Sequence, residues 1–65
     1  MKLLDLYKTD NGYVSNWINS YNNNVYIIGT IEPFTYKAVE TNEETEEESW
    51  CILDDIELNH LKSKL

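Results

Sequence analysis

Val25-Tyr26-Ile27-Ile28-Gly29-Thr30-Ile31-Glu32 is the stretch that decides the fold. It is rich in β-branched residues and reads as a strand. Alternation puts Val25, Ile27, Gly29 and Ile31 on one face and Tyr26, Ile28 and Thr30 on the other. Apolar residues on both faces predict a central strand that is covered at least in part on each side. Pro33 ends it, because proline has no N–H to give to a sheet. Phe34 to Glu40 then resumes as a strand with Phe34, Tyr36 and Ala38 on one face.

Toward the N-terminus, residues 2–8 read as a strand. Thr9-Asp10-Asn11-Gly12 follows, and Asn-Gly is a strong signal for a type I′ hairpin turn with positive φ at its two central residues. Tyr13 to Ile18 returns as the second strand. A rival reading makes 14–22 a helix, since Val14, Trp17, Ile18 and Tyr21 share one helical face. The intervening Asn and Ser residues are weak helix formers and favour the hairpin. Asn19 to Asn24 is a polar loop.

Toward the C-terminus, Thr41 to Glu48 is an acidic, low-complexity run, and Ser49 to Leu53 is a short apolar strand. Together they predict a hairpin with a long, mobile acidic tip at 41–48. Asp54 and Glu57 form a capping-box pattern, with Asp in place of the usual Ser or Thr. Leu58, Leu61 and Leu65 then recur at helical spacing, and Lys62 and Lys64 fall where a helix end favours cations. The expectation is one domain over 1–65, mainly β. It is a small antiparallel sheet or partly closed barrel of four or five strands, closed by a helix from about Asp55 to Lys64. The alternative is α+β with the helix at 14–22.

A chain of 65 residues has little core to spare; a domain this small buries about 60% of the surface it exposes when unfolded. Cys51 is the single cysteine, so no disulfide within the chain is available. Cys51 and His60 are too few for a closed zinc site. Dense aromatic packing or self-association must supply the rest. Phe34, Trp50 and most of the strand aromatics are expected in the core. Trp17 and Tyr21, beside the Asn-rich loop, are expected to be partly exposed and to serve as partner-binding anchors.

Charge is concentrated in the middle of the chain. The net charge is −7, but residues 32–57 carry ten carboxylates against one lysine, Lys37, a local −9. Such a field attracts basic partners and repels nucleic acid. Glu40, Glu43, Glu44, Glu46, Glu47, Glu48, Asp54, Asp55 and Glu57 are the candidate partner-binding acids, with Trp17 and Tyr21 beside them. One reading is solvation, since acidic surface keeps small proteins soluble. The sharper reading is mimicry of a nucleic-acid backbone. An extended chain rises about 3.3 Å per residue, and a DNA strand presents a phosphate about every 3.4 Å. Acids on such a segment offer charges at a comparable spacing to the lysines of a nucleic-acid-binding protein.

Other chemistry is poorly represented. The acidic run lacks the glycine turn and alternating Asp/Asn oxygens of a calcium loop, and neither metal nor cofactor is expected. Cys51, inside Trp-Cys-Ile-Leu, reads as a small buried hydrophobe, and His60 as a surface residue of the helix. A Cys51–His60 dyad would be the sole nucleophile–base pair, and the chain is read as non-enzymatic. The segment Met1-Lys2-Leu3-Leu4-Asp5-Leu6 lacks the uninterrupted apolar region of a secretion signal. Val25 to Ile31, the longest uncharged apolar stretch, is too short to span a membrane. A lone free thiol fits a reducing cytoplasm.

In size and charge the chain is similar to the small acidic inhibitors encoded by bacterial viruses, such as uracil-DNA glycosylase inhibitors and anti-CRISPR proteins. The resemblance covers overall profile and no aligned residues. It implies stoichiometric inhibition of a nucleic-acid-handling protein. The alternative is an assembly module, a homo-oligomer or subunit of a complex, in which the acids serve solubility.

Overall fold

The computed structural model describes residues 1–65. Five antiparallel strands form one open sheet in chain order: β1 (Lys2–Lys8), β2 (Tyr13–Ile18), β3 (Asn24–Gly29), β4 (Lys37–Thr41) and β5 (Glu48–Cys51). Helix α1 (Asp55–Lys64) follows. The sheet is a simple meander with β3 at its centre and β1 and β5 as free edges, so it is not a closed barrel. Tyr13–Ile18 is a strand, which removes the helical alternative at 14–22.

The β1–β2 hairpin forms, but not through the turn that Asn-Gly suggests. Lys8 pairs with Tyr13, leaving a loop of Thr9 to Gly12 closed by Thr9 N–H donating to Gly12 O at 2.8 Å. Gly12 N–H in turn donates to Thr9 Oγ1 at 3.0 Å. Neither Asn11 nor Gly12 has positive φ. Gly12 is required for a steric reason instead: a Cβ there would lie 2.0 Å from Gly29 O.

β1 contains a bulge between Leu3 and Asp5. In a regular strand Leu3 and Leu6 would face opposite sides; the extra residue brings both against the core and turns Leu4 out to solvent.

β3 ends at Gly29, earlier than the apolar run suggests. Threonine hydroxyls compete with the strand ladder here. Thr30 N–H donates to Thr35 Oγ1 at 2.9 Å, and Thr30 Oγ1 donates to Pro33 O at 2.5 Å. The Glu32–Pro33 peptide is cis. The threonine hydrogen bonds close residues 30–35 into a turn, so Phe34 is not in a strand, and its ring stacks on Tyr13 at 6.0 Å. β4 starts only at Lys37.

The core lies on one face of the sheet. Tyr13, Trp17, Val25, Ile27 and Ala38 pack there against Leu53 and Leu61, with Leu58 and Leu65 closing the helix side. Asp54 accepts from Glu57 N at 2.7 Å and Glu57 Oε1 accepts from Asp54 N at 3.3 Å, the expected capping box. Such a cap stabilises a helix by about 1 kcal/mol. Lys8 Nζ donates to the Leu65 carbonyl at 2.9 Å and ties the helix end to β1.

Two aromatic expectations are reversed. Trp17 is fully buried, and its ring meets His60 edge-on at 5.1 Å. His60 is accordingly half-buried. Trp50 is 73% exposed. Parity decides both: Trp17 shares the inner face with Tyr13 and Ser15, whereas Trp50 pairs with Val39 on the outer face. That outer face is open, so β3 is central by position but covered on one side only; Tyr26 and Ile28 are exposed.

Candidate functional site

The acidic loop is built on asparagines. Thr41 and Glu48 pair as strand residues, so the turn proper is 42–47. Asn42 N–H donates to Glu47 O at 2.8 Å and Glu46 N–H to Asn42 O at 2.7 Å. Asn42 Oδ1 accepts from Glu44 N at 2.9 Å, an arrangement for which Asn is suited. Glu46 takes the left-handed conformation, with φ 59. Glu43, Glu44, Glu46, Glu47 and Glu48 are all exposed.

The β2–β3 loop lies at the same end of the sheet. Asn19 Oδ1 accepts from Tyr21 N and Asn23 N, each at 3.0 Å, and Asn22 adopts φ 64. Asn19 Nδ2 and Asn23 Nδ2 then donate to the same oxygen, Glu40 Oε2, at 2.9 and 2.8 Å. These two bonds hold the Glu40 carboxyl below its ordinary pKa, the Asn23 bond most strongly. Asn24 Nδ2 similarly donates to Glu43 Oε1. Glu40 thus acts as a clamp between β4 and the β2–β3 loop, and Glu43 is anchored at its base.

The two loops bring together residues far apart in sequence. Tyr21, 82% exposed, shares a cleft with Asn22, Asn23, Asn42, Glu43 and Glu44. An aromatic ring therefore stands beside the acidic loop. Trp17, named with Tyr21 from sequence, does not join this surface because it is core.

The later acids are placed differently. Asp54 and Glu57 spend their carboxylates on the helix cap, while Asp55 is exposed in the first turn. Exposed carboxylates thus flank the edge strand β5 at both ends. Ile52 in the β5–α1 connection and Ile56 in the first turn of α1 are 91% and 81% exposed. In the sequence both look like core, Ile52 as part of the apolar Trp-Cys-Ile-Leu run and Ile56 as a lone apolar residue of an amphipathic helix.

Cys51 is half-buried beside Glu40 and Glu57. Burial, and then these two carboxylates, push its thiol above the ordinary value, the opposite of what a nucleophilic thiolate requires. No three His, Cys, Asp or Glu side chains converge as metal ligands would. The largest cleft, about 430 Å³, lies at the other end of the sheet among Gly12, Gly29, Thr35 and Lys37. No helix is long and apolar enough to cross a membrane.

No family model matches the chain, and no curated protein or solved structure matches it either.

Proposed function

We propose that this protein is a small acidic binding protein that occupies the basic groove of a nucleic-acid-handling protein and so inhibits or regulates it, without catalysis of its own. The observation that carries the reading is the surface formed by Tyr21 and the Glu43–Glu48 loop. Its carboxylates are exposed, set on a hydrogen-bonded turn, and stand beside an exposed aromatic ring. Preset charges lose less conformational entropy on binding than charges on a disordered chain. Tyrosine is a favoured anchor in such interfaces. The partner's lysines and arginines would meet these acids as they meet phosphates, and the complex would weaken with salt. Asp55 is a further exposed carboxylate, in the first turn of α1 beyond the other end of β5. The raised pKa of Cys51 favours a binding role over nucleophilic chemistry. A nucleic-acid-handling partner would place the chain in the cytoplasm.

The test is capture of partners on immobilised protein from a lysate of the native host, washed at low and then high salt. A nucleic-acid-binding protein released by salt, and lost when Glu43, Glu44, Glu46, Glu47 and Glu48 are all changed to Gln, is the expected result. Full affinity in that quintuple variant, shown to be folded by circular dichroism, would sink the proposal.

A further inference from the structure

The face of the sheet opposite the helix is uncovered, and its composition is unlike the rest of the molecule. Register places three rows across it. Tyr7, Val14, Ile28 and Lys37 form one. Asp5, Asn16, Tyr26, Val39 and Trp50 form the middle row, and Lys2, Ile18, Asn24, Thr41 and Glu48 the third. Tyr7, Tyr26, Ile28 and Trp50 are each at least 40% exposed. Val14 on β2 joins Tyr7 to Ile28, and Val39 on β4 joins Tyr26 to Trp50, so the rows make a continuous apolar surface rather than scattered single residues.

We infer that this face binds a second copy of the chain, sheet on sheet, in a two-fold dimer. Charge selects the occupant. The chain carries −7, yet the open face holds two lysines (Lys2, Lys37) and two acids (Asp5, Glu48), a net of zero. A surface made for a basic partner would share the acidity of the loop. A surface made for its own copy must avoid like-charge repulsion, and this one does.

The corners are also self-complementary. Lys2 and Glu48 occupy opposite ends of one row. A two-fold axis parallel to β3 lays β1 of one copy over β5 of the other and brings each Lys2 to the other copy's Glu48. The same operation sets Tyr26 against Tyr26 at the axis, and Asp5 over Trp50, whose indole N–H needs an acceptor once covered. Aligned sheets pack in this way at about 30°.

Area sets the strength. Five strands about 4.8 Å apart and about five residues long span roughly 24 by 17 Å. That is about 400 Å² a side, or about 800 Å² in total, before the relief of the side chains is counted; it falls short of the roughly 1,200 Å² of stable interfaces and in the range of weak, transient ones. The dimer should therefore dissociate on dilution, with each protomer keeping its own helix-backed core.

Sedimentation equilibrium of the intact protein over a wide concentration range tests this. The expected result is a reversible rise to twice the chain mass. Tyr26→Lys and Val39→Lys, which place like charges near the axis, should each hold the protein monomeric with an unchanged circular dichroism spectrum. Lys2→Glu should lower the dimer fraction and Lys2→Glu with Glu48→Lys should restore it. A wild type that stays monomeric at every concentration overturns the inference, as does a dimer indifferent to both lysine substitutions. A charge swap that restores nothing overturns the two-fold pairing.

Discussion

The indole Nε1 of Trp17 donates a 2.8 Å hydrogen bond to Ser15 Oγ, two residues earlier on the same face of β2, and both residues are fully buried. Ser15 Oγ in turn donates a hydrogen bond to Ile27 O at 3.3 Å on β3. The largest core side chain is thus admitted because a small hydroxyl satisfies its single polar atom. Ser15→Ala leaves the indole N–H without a partner, which should destabilise the protein by about 1–3 kcal/mol. Urea unfolding of Ser15→Ala beside Trp17→Phe with Ser15→Ala checks the mechanism. The double variant, which has no donor to strand, should show a cost for Ser15→Ala smaller than that in the wild-type background.

Glu40 should govern part of the acid sensitivity. Its pKa is lowered in the fold by Asn23 and Asn19. The stability it contributes is present above its ordinary value of 4.5 and is lost as pH falls through the lower folded value. Glu40→Gln, which cannot titrate, should flatten that limb of the stability–pH curve. An identical acid limb in wild type and variant would refute the clamp.

Tyr13 sets the opposite limb. Burial, aided by Tyr36, pushes its pKa from 10.0 up to about 12, and its hydroxyl donates to Thr35 O at 2.9 Å. The unfolded chain therefore ionises first on the alkaline side. Stability from this residue is intact below pH 10.0 and drains away as pH approaches about 12. Tyr13→Phe should show a shallower alkaline decline in thermal melts, and a decline as steep as wild type would contradict the assignment.

Glu46 pays a conformational cost in the acidic turn. Its φ of 59 is disfavoured for a side chain by about 1–2 kcal/mol. Glu46→Gly removes that penalty together with one negative charge. Glu46→Gln removes the charge alone, so it is the control. The glycine variant should melt higher than the glutamine variant. Equal or lower melting would mean that the turn does not hold this conformation in solution.

Much of the fold was legible locally. The two N-terminal strands, the capping box of Asp54 and Glu57, and the helix bounds follow from alternation, β-branched content and cap chemistry, all of which act over a few residues. The turn chemistry was less legible. Asn11-Gly12 looks like a type I′ turn, but a hydroxyl from Thr9 and the close approach of Gly29 produce another loop. The left-handed positions fall at Asn22 and Glu46 instead. Thr30 and Thr35 capture the chain before Phe34 can join a strand.

The candidate surface shows the same division. That residues 40–57 are acidic is a property of the sequence, as is the strand pattern around them. Which acids are free is not. Glu40 is tied down by asparagines from another loop, Asp54 and Glu57 by the helix cap, and Tyr21 reaches the acidic turn only because two hairpin loops share one end of the sheet. Alternation separates the two faces of each strand but does not say which face the helix will cover. Leu53 and Leu61 pack on the side of Trp17 and Ile27, and that choice buried Trp17 while leaving Trp50, Tyr26 and Ile28 in the open. Strand identity is fixed by neighbours along the chain; burial of a given face is fixed by long-range packing, which no local pattern encodes.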